Sequence, residues 1–156
     1  MVEMAFVIFF LAFISVAFYT YITLATNAWI MVTGRSSLSS SAAVAMNRIV
    51  SDIRDINAPS SLLNMQPANC RFRTIAGDDI TYSQVGNNLM QTVNTNNNVM
   101  LSNLSANGLL FTYLKRGSMV TTEAVDVRSV RIKISITKGT QIYNLESAAR
   151  IRNIMP

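Results

Sequence analysis

Apolar residues dominate the beginning of the chain. Residues 4–18 read MAFVIFFLAFISVAF, with Ser15 the only polar side chain, and the apolar character continues to Val32. About 20 such residues, each rising about 1.5 Å along a helix, cross a hydrocarbon core of about 30 Å. Because the backbone must satisfy its own hydrogen bonds in lipid, this pattern predicts a membrane-length helix.

A second helical pattern follows the first. From Leu38 to Ile56 apolar residues recur every three or four positions, as on one face of an amphipathic helix. No proline occurs before Pro59, so we expect one helix over about residues 1–56, on the order of 80 Å long. The face expected to pack on the rest of the chain holds Ile49, Ile53 and Ile56, whereas Arg48, Asp52 and Asp55 are expected on other faces.

The remainder of the chain contains short runs with the alternation of β-strands. In Val127–Lys138 the residues Val130, Ile132, Ile134 and Ile136 are predicted on one face, and Arg131, Lys133 and Ser135 on the other. Segments 58–69 and 94–98 are polar and are predicted as a connection and a loop tip. The predicted strands are 71–75, 80–85, 89–93, 99–101, 109–114, 127–138 and 142–152.

These patterns together predict an α+β protein, in which a long N-terminal helix packs its second half on an antiparallel β-sheet head. Residues 1–34 are expected to form the apolar, membrane-spanning half of the helix. Residues 35–57 are expected to form the amphipathic half that packs on the head, and residues 58–156 the head itself.

Charge is confined to the polar part of the chain. All 13 Lys and Arg residues lie from Arg35 onward. Several of them crowd the predicted C-terminal strands, where a solvated sheet face is the simplest interpretation and contact with DNA is an alternative. The candidate nucleic-acid residues are Arg131, Lys133, Arg150 and Arg152.

Residues suited to catalysis are scarce. The chain has no His, and its single Cys70 is expected to be a small half-buried residue rather than a reactive thiol. Asp78 and Asp79 follow a glycine and are expected to shape a turn. A calcium site combining them with Glu123 or Asp126 matches no known loop spacing. We therefore expect no enzyme activity, no cofactor and no metal.

Glu3 is the one charged residue before Arg35. A carboxylate at the end of an apolar segment costs several kcal/mol unless it is paired, which makes it a candidate functional residue. Its own chain offers no cation nearby except the amino terminus. The partner is therefore expected to be that terminus, a lipid headgroup or another molecule, unless Glu3 simply lies at headgroup level.

The opening MVEMAFVIFFLA resembles the start of mature type IV pilins and pseudopilins, in which a Phe-Thr-Leu-x-Glu sequence leads into an apolar helix. The resemblance implies that Glu3 neutralises the N-terminal ammonium group of a neighbouring subunit. It also implies that the chain begins two residues inside the mature protein, after leader cleavage and N-methylation. The filament-core side of the helix would then carry Phe6, Phe9, Phe10, Phe13 and Val16.

The second half of the chain resembles minor pseudopilins, especially the J-type subunit of type II secretion. The similar segments are short: 52–54, 79–82, 110–113, 130–132 and 152–153. The resemblance implies a pilin-like fold and a structural role in a filament. The expected partners are copies of the chain or sister pilins, the bacterial inner membrane before assembly, and assembly platform proteins.

Several alternatives stay open at this stage. The subunit could be a repeated major pilin, or a minor one of a pilus, a type II secretion system or a competence system. A protein of another class, a membrane-anchored binding module that does not polymerise, requires Glu3 to be incidental. After assembly, the expected location is a periplasmic or extracellular filament.

Overall fold

The structure is a computed structural model that describes residues 2–138 and 141–151, with the backbone alone for residues 2, 3, 5, 8 and 30–38. Helix α1 spans Val2–Arg54. The chain divides into two compact units, Met1–Ser39 and Ser40–Pro156, and α1 contributes to both. The protein is therefore an α+β protein with an N-terminal apolar helix and antiparallel sheets, as the sequence predicts.

Helix α1 ends two residues before the predicted end. Ile56 lies beyond the helix and forms an isolated antiparallel bridge with Thr74. The backbone N–H of Ile75 donates to the carbonyl oxygen of Asp55. A carbonyl group just past the end of the helix is thus satisfied by the β-rich region instead of by the next helical turn. Pro59 then begins a short 3-10 helix, Pro59–Ser61, consistent with a residue that has no N–H to donate.

In the described part of the chain, eight strands form two antiparallel sheets instead of the single sheet expected. The first sheet has the order β1-β2-β3-β4-β5 and the second the order β6-β7-β8, so neighbours in sequence are neighbours in space. A second 3-10 helix, Ala124–Asp126, lies between β6 and β7. The strands are β1 (Leu62–Gln66), β2 (Asn69–Arg73), β3 (Asp79–Val85), β4 (Asn88–Val93), β5 (Asn96–Leu101), β6 (Leu104–Leu114), β7 (Ser129–Lys138) and β8 (Gln141–Arg150).

The core of the second unit combines one face of α1 with alternate residues of the strands. The alternation predicted for Val127–Lys138 is confirmed, because its four aliphatic residues are fully buried while Arg131 is exposed. On α1 the buried residues recur at helical spacing. They are Ala42, Ala45, Met46, Ile49, Val50 and Ile53, followed by Ile56 just after the helix.

Two segments predicted as loops contain strands. The predicted polar connection 58–69 holds β1, whose Leu62 is buried and whose residues pair with β2. The predicted loop tip 94–98 is a tight turn at Asn94, which has a φ of 56°, and Val93 pairs with Asn96 directly after it. Asparagine is poorly suited to strands, but pairing with β4 overrides that preference.

Strand β6 contains a wide irregularity that depends on Gly108. Its register on β7 shifts between Leu104 and Leu109, and Gly108 lies within the extra residues. A Cβ atom on Gly108 would lie 2.5 Å from the carbonyl oxygen of Ser135 and 2.8 Å from that of Ser105. Both are backbone atoms held by the sheet, so only glycine allows this close approach.

We expect Gly108→Ala to lower the free energy of unfolding by about 1–3 kcal/mol, because the methyl group forces the two strands apart. Urea unfolding of the full chain in mild detergent measures the change. The matched control is Gly86→Asn, since nothing lies within 4 Å of an added Cβ and the φ of 59° suits asparagine. Equal losses in both variants would contradict the role of close packing.

Candidate functional site

The most exposed apolar surface of the protein is the N-terminal part of α1. From Met4 to Trp29 its large apolar side chains are between 53% and 75% exposed. Phe6, Phe9, Phe10 and Phe13 follow one side of the helix at spacings of three and four. Val16 and Leu24 lie on the same side, and the other sides are equally apolar, since they carry Val7, Leu11, Ile14, Phe18 and Ile22.

The Ser and Thr hydroxyl groups with described bonds on this surface donate to the helix itself. Ser15 Oγ donates to the carbonyl oxygen of Leu11 at 2.8 Å, and Thr20 Oγ1 to that of Val16 at 2.8 Å. Thr23 Oγ1 lies 3.1 Å from the carbonyl oxygen of Tyr19. Polar side chains satisfied in this way need no water, which suits a helix in an apolar environment.

One helix in the described part of the chain is long and apolar enough to cross a membrane. The segment is Phe9–Trp29, 21 residues near the N-terminus, and none of it is buried by the rest of the protein. A helix that is apolar all round requires an apolar environment on every side. Membrane anchors and signal sequences both have this property.

Glu3 lies at the first turn of α1 by its backbone, and its side chain is outside the described residues. An acidic residue in the first turn of a helix is favoured by the partial positive charge of the free N–H groups there. That position fits the role predicted for Glu3, which stays a prediction.

The opposite end of α1 is fixed by a buried polar cluster that the sequence pattern missed. Asp52 was expected to lie off the packing face, but it is buried. Tyr82 on β3 donates to Asp52 Oδ2 at 2.6 Å, and Gln91 Nε2 on β4 donates to the same oxygen at 2.9 Å. Arg48 Nε lies 3.2 Å from Asp52 Oδ1. We call these four residues the Asp52 cluster.

The position of Asp52 explains the error. It follows Ile49 by three residues and precedes Ile56 by four, so it belongs to the same face as the buried isoleucines. A carboxylate is tolerated there because three donors satisfy its oxygens. The sequence contained one further indication of a buried polar group, since Gln91 lies between the apolar residues Leu89 and Val93 in the alternation of its strand.

Cys70 and Tyr113 are two further buried ionisable groups. Burial raises the pKa of the Cys70 thiol from 9.0 to about 11, and a hydrogen bond with Tyr113 opposes the shift. Burial also raises the pKa of Tyr113, with a smaller contribution from Cys70. Because its thiol is held protonated, Cys70 is a core residue and a poor nucleophile.

Three of the four candidate nucleic-acid residues, Arg131, Lys133 and Arg150, lie on the outer face of the second sheet. Arg131 Nε is 3.3 Å from Glu146 Oε1, and Lys133 is directly opposite Glu146 in the strand register. Arg150 is opposite Ser129 on the same face. An acidic residue therefore lies among these cations, while Arg152 is outside the described residues.

The candidate calcium ligands are spread over two places. Asp79 is bound by Arg73 at 2.9 Å and by Arg71 at 3.0 Å, and these hydrogen bonds lower the pKa of its carboxyl group. Asp78 Oδ1 accepts from Asn94. Glu123 precedes, and Asp126 ends, the 3-10 helix between β6 and β7. Within residues 2–138 and 141–151, no group of three or more His, Cys, Asp or Glu side chains could hold a metal ion.

The fold and this surface together define a class: an α+β protein whose N-terminal helix is apolar enough to span a membrane. No model of a known protein family matches the chain, and a search of curated proteins finds no significant similarity. The resemblance to type IV pilins therefore depends on the residues around Glu3 and on the order of the elements.

We expect Asp52→Ala to lower the free energy of unfolding by about 2–4 kcal/mol, because Tyr82 and Gln91 lose their buried acceptor. Urea unfolding of the full chain in mild detergent measures it. Asp55→Ala is the matched control, since Asp55 is an exposed carboxylate in the next turn whose only described contacts are through its backbone. Equal effects of the two variants would show that the Asp52 cluster does not contribute to the free energy of unfolding.

We also expect stability to decrease at high pH. The folded state holds the protons of Cys70, Tyr82 and Tyr113 because burial, first among the causes, raises the pKa of each. The unfolded chain loses the thiol proton from about pH 9, so this contribution is complete below pH 9 and is lost as the pH rises through about 11.

The measurement is urea unfolding at several pH values between 7 and 11 for the wild type and Cys70→Ala. Between pH 9 and 11 the slope of the variant should be shallower by up to about 1.4 kcal/mol per pH unit. Below pH 8 the two slopes should agree. Parallel curves over the whole range would show that the thiol is not shifted in the folded protein.

Proposed function

We propose that this protein is a structural subunit of a type IV pilus-like filament, a pilin or pseudopilin, and that it has no catalytic role. The observation that carries the proposal is the surface of α1 between Met4 and Trp29, which is apolar on every side and not buried by any other described residue. Such a surface requires an environment supplied by other molecules.

Two apolar environments can cover this surface in turn. A bilayer covers it first, since Phe9–Trp29 has the length and composition of a span. The same helices from other subunits cover it in a filament, where ring and aliphatic side chains such as Phe6, Phe10 and Phe13 interdigitate. The exchange of lipid for protein contacts gains from close packing and not from removal of water, because both environments are apolar.

Glu3 determines the axial register of this helix packing. Aliphatic and aromatic contacts are tolerant of sliding, whereas a carboxylate in an apolar core is stabilised only where a positive charge meets it. The N-terminal ammonium group of a neighbouring subunit is such a charge, and it occurs once per helix. A single Glu3–ammonium pair per contact would therefore fix the axial register of neighbouring helices.

The C-terminal part of α1 supports the proposal in another way. Its buried isoleucines and the Asp52 cluster attach the helix firmly to strands β3 and β4. A filament built through α1 must carry its head domain on that helix under load. The Asp52 cluster places hydrogen bonds between side chains of the helix and the sheet, where apolar contacts alone would permit sliding.

The resemblance to J-type subunits favours a minor pseudopilin of type II secretion or of a competence system over a repeated major pilin. The rival of another class is a membrane-anchored binding module that does not polymerise. Both rivals share the apolar helix, so the role of Glu3 separates them. A filament subunit needs the carboxylate, and an anchor does not.

The test replaces the native copy with Glu3→Leu in the cell from which the protein comes. We expect normal amounts of the protein in the membrane but at least a tenfold loss of incorporation into sheared filaments, measured by immunoblot of both fractions. Loss of the Glu3–ammonium pair leaves a neighbour's charge unpaired in the apolar core.

Thr20→Leu is the matched control, because it also replaces a polar residue of α1 by leucine but removes only a hydroxyl bonded within the helix. It should assemble normally. Normal assembly of Glu3→Leu would contradict the proposal and favour the anchored module.

A further inference from the structure

The two sheets have four edge strands, and one of them differs from the other three. The pairings of β1, β5 and β6 with their neighbours each contain a register shift. The pairing of β7 with β8 is continuous over ten residue pairs, from Ser129–Arg150 to Lys138–Gln141. Irregularities are a common way to prevent an edge from pairing with another chain, and β8 lacks one.

Strand β8 also lacks two other common protections of an edge, a proline and an inward-pointing charge. It contains no proline, and on the face that it shares with the buried residues of β7 it carries no charge. No segment within residues 2–138 and 141–151 pairs with its outer edge, because β8 ends the order β6-β7-β8. Its backbone groups along that edge are therefore available to a second strand.

The charges of β8 indicate which strand would fit. Glu146 and Arg150 are both exposed and both lie on the outer face, opposite Lys133 and Ser129 of β7. They are four residues apart with Ala148 midway between them. When two copies of β8 pair antiparallel with Ala148 opposite Ala148, each Glu146 lies opposite Arg150 of the second copy.

Neighbouring registers are less favourable. In an antiparallel pair of strands, two residues that lie directly opposite each other point to the same face of the sheet. When the outer faces of the two copies lie on the same side, the two-fold axis must therefore pass through a residue of β8 and not between two residues. An axis at Glu146 would place like charges opposite each other, and an axis at Ser147 would place Glu146 opposite Ala148. Only the axis at Ala148 pairs both charges within the described part of the strand.

We propose that two copies of this protein associate through β8, antiparallel, about a two-fold axis at Ala148. Backbone hydrogen bonds along residues 146–150 supply the attraction, over about the length of an average strand. The Glu146–Arg150 pairs select the register. Glu146 can accept from its own Arg131 and from the second copy because a carboxylate has two acceptor oxygens. This association does not depend on the proposed filament function.

The first test is disulfide formation in the full chain, in mild detergent, with Cys70→Ala as background. Ala148 is exposed, and directly opposite Cα atoms are about 4.5–5.5 Å apart, which a disulfide spans. We expect Ala148→Cys to give a disulfide-linked dimer on mild oxidation. Asn144→Cys is the matched control, since its two copies would be about 27 Å apart and should not link.

The control variant has the same apolar helix and is studied in the same detergent. Association through α1 alone would therefore give disulfide-linked dimers of both variants or of neither. Each of these two outcomes would overturn the proposal. A mixture of Ala148→Cys with Val99→Cys on β5 tests a different pairing of copies. A linked pair between those two positions would show head-to-tail pairing of β8 with β5 and would also overturn it.

The second test reverses charges in the Ala148→Cys protein. Arg150→Glu should slow dimer formation about five- to thirtyfold, because two attractive pairs become repulsive. Adding Glu146→Arg should restore the rate, since opposite charges again face each other. Circular dichroism checks that each variant is folded, which is needed because Glu146→Arg also removes the ion pair with Arg131. A folded double variant that stays slow would overturn the assigned register.

Discussion

The structure depends on one unsatisfied requirement: the first half of α1 is apolar around its whole circumference, and the chain contains nothing that covers it in the described residues. A single buried leucine or phenylalanine contributes about 2 kcal/mol relative to exposure in water, and the described side chains of this surface include fifteen large apolar ones. Exposure of so much apolar surface to water is unfavourable, and a membrane anchor and a signal sequence both have this property.

The second unit contains only the C-terminal part of α1, and its contacts must hold that part of the helix in place. The apolar face around Ile49 and Ile53 provides most of the burial. The Asp52 cluster adds directional hydrogen bonds that hold the helix in one position on the sheet, since Tyr82 and Gln91 donate to the same carboxylate oxygen from two adjacent strands. Removal of one member would leave buried groups without partners, so the cluster works as a unit.

The sequence predicted the helix, the α+β class and the alternation in Val127–Lys138 because these follow from periodicity within one segment. It failed for β1 and for Asn96–Asn98, where pairing with a neighbouring strand overrides local preference. At Asp52 a charge does not imply exposure, because its spacing from Ile49 places it on the buried face. The partners that make its burial tolerable lie 30 and 39 residues away, beyond the reach of any local pattern.

The two proposed associations have different symmetries, and this has a structural consequence. Helix packing of the α1 type joins unlike surfaces of successive copies and can continue without limit, whereas pairing through β8 joins like surfaces and is complete after two copies. Subunits repeated along a filament shaft are related to their neighbours by a single helical symmetry operation. A two-fold contact between two copies is not part of that symmetry. A chain that uses both contacts is better suited to a place where a filament begins or ends. The proposed pairing through β8 and the proposed filament assembly are therefore compatible in a minor subunit and hard to combine in a major one.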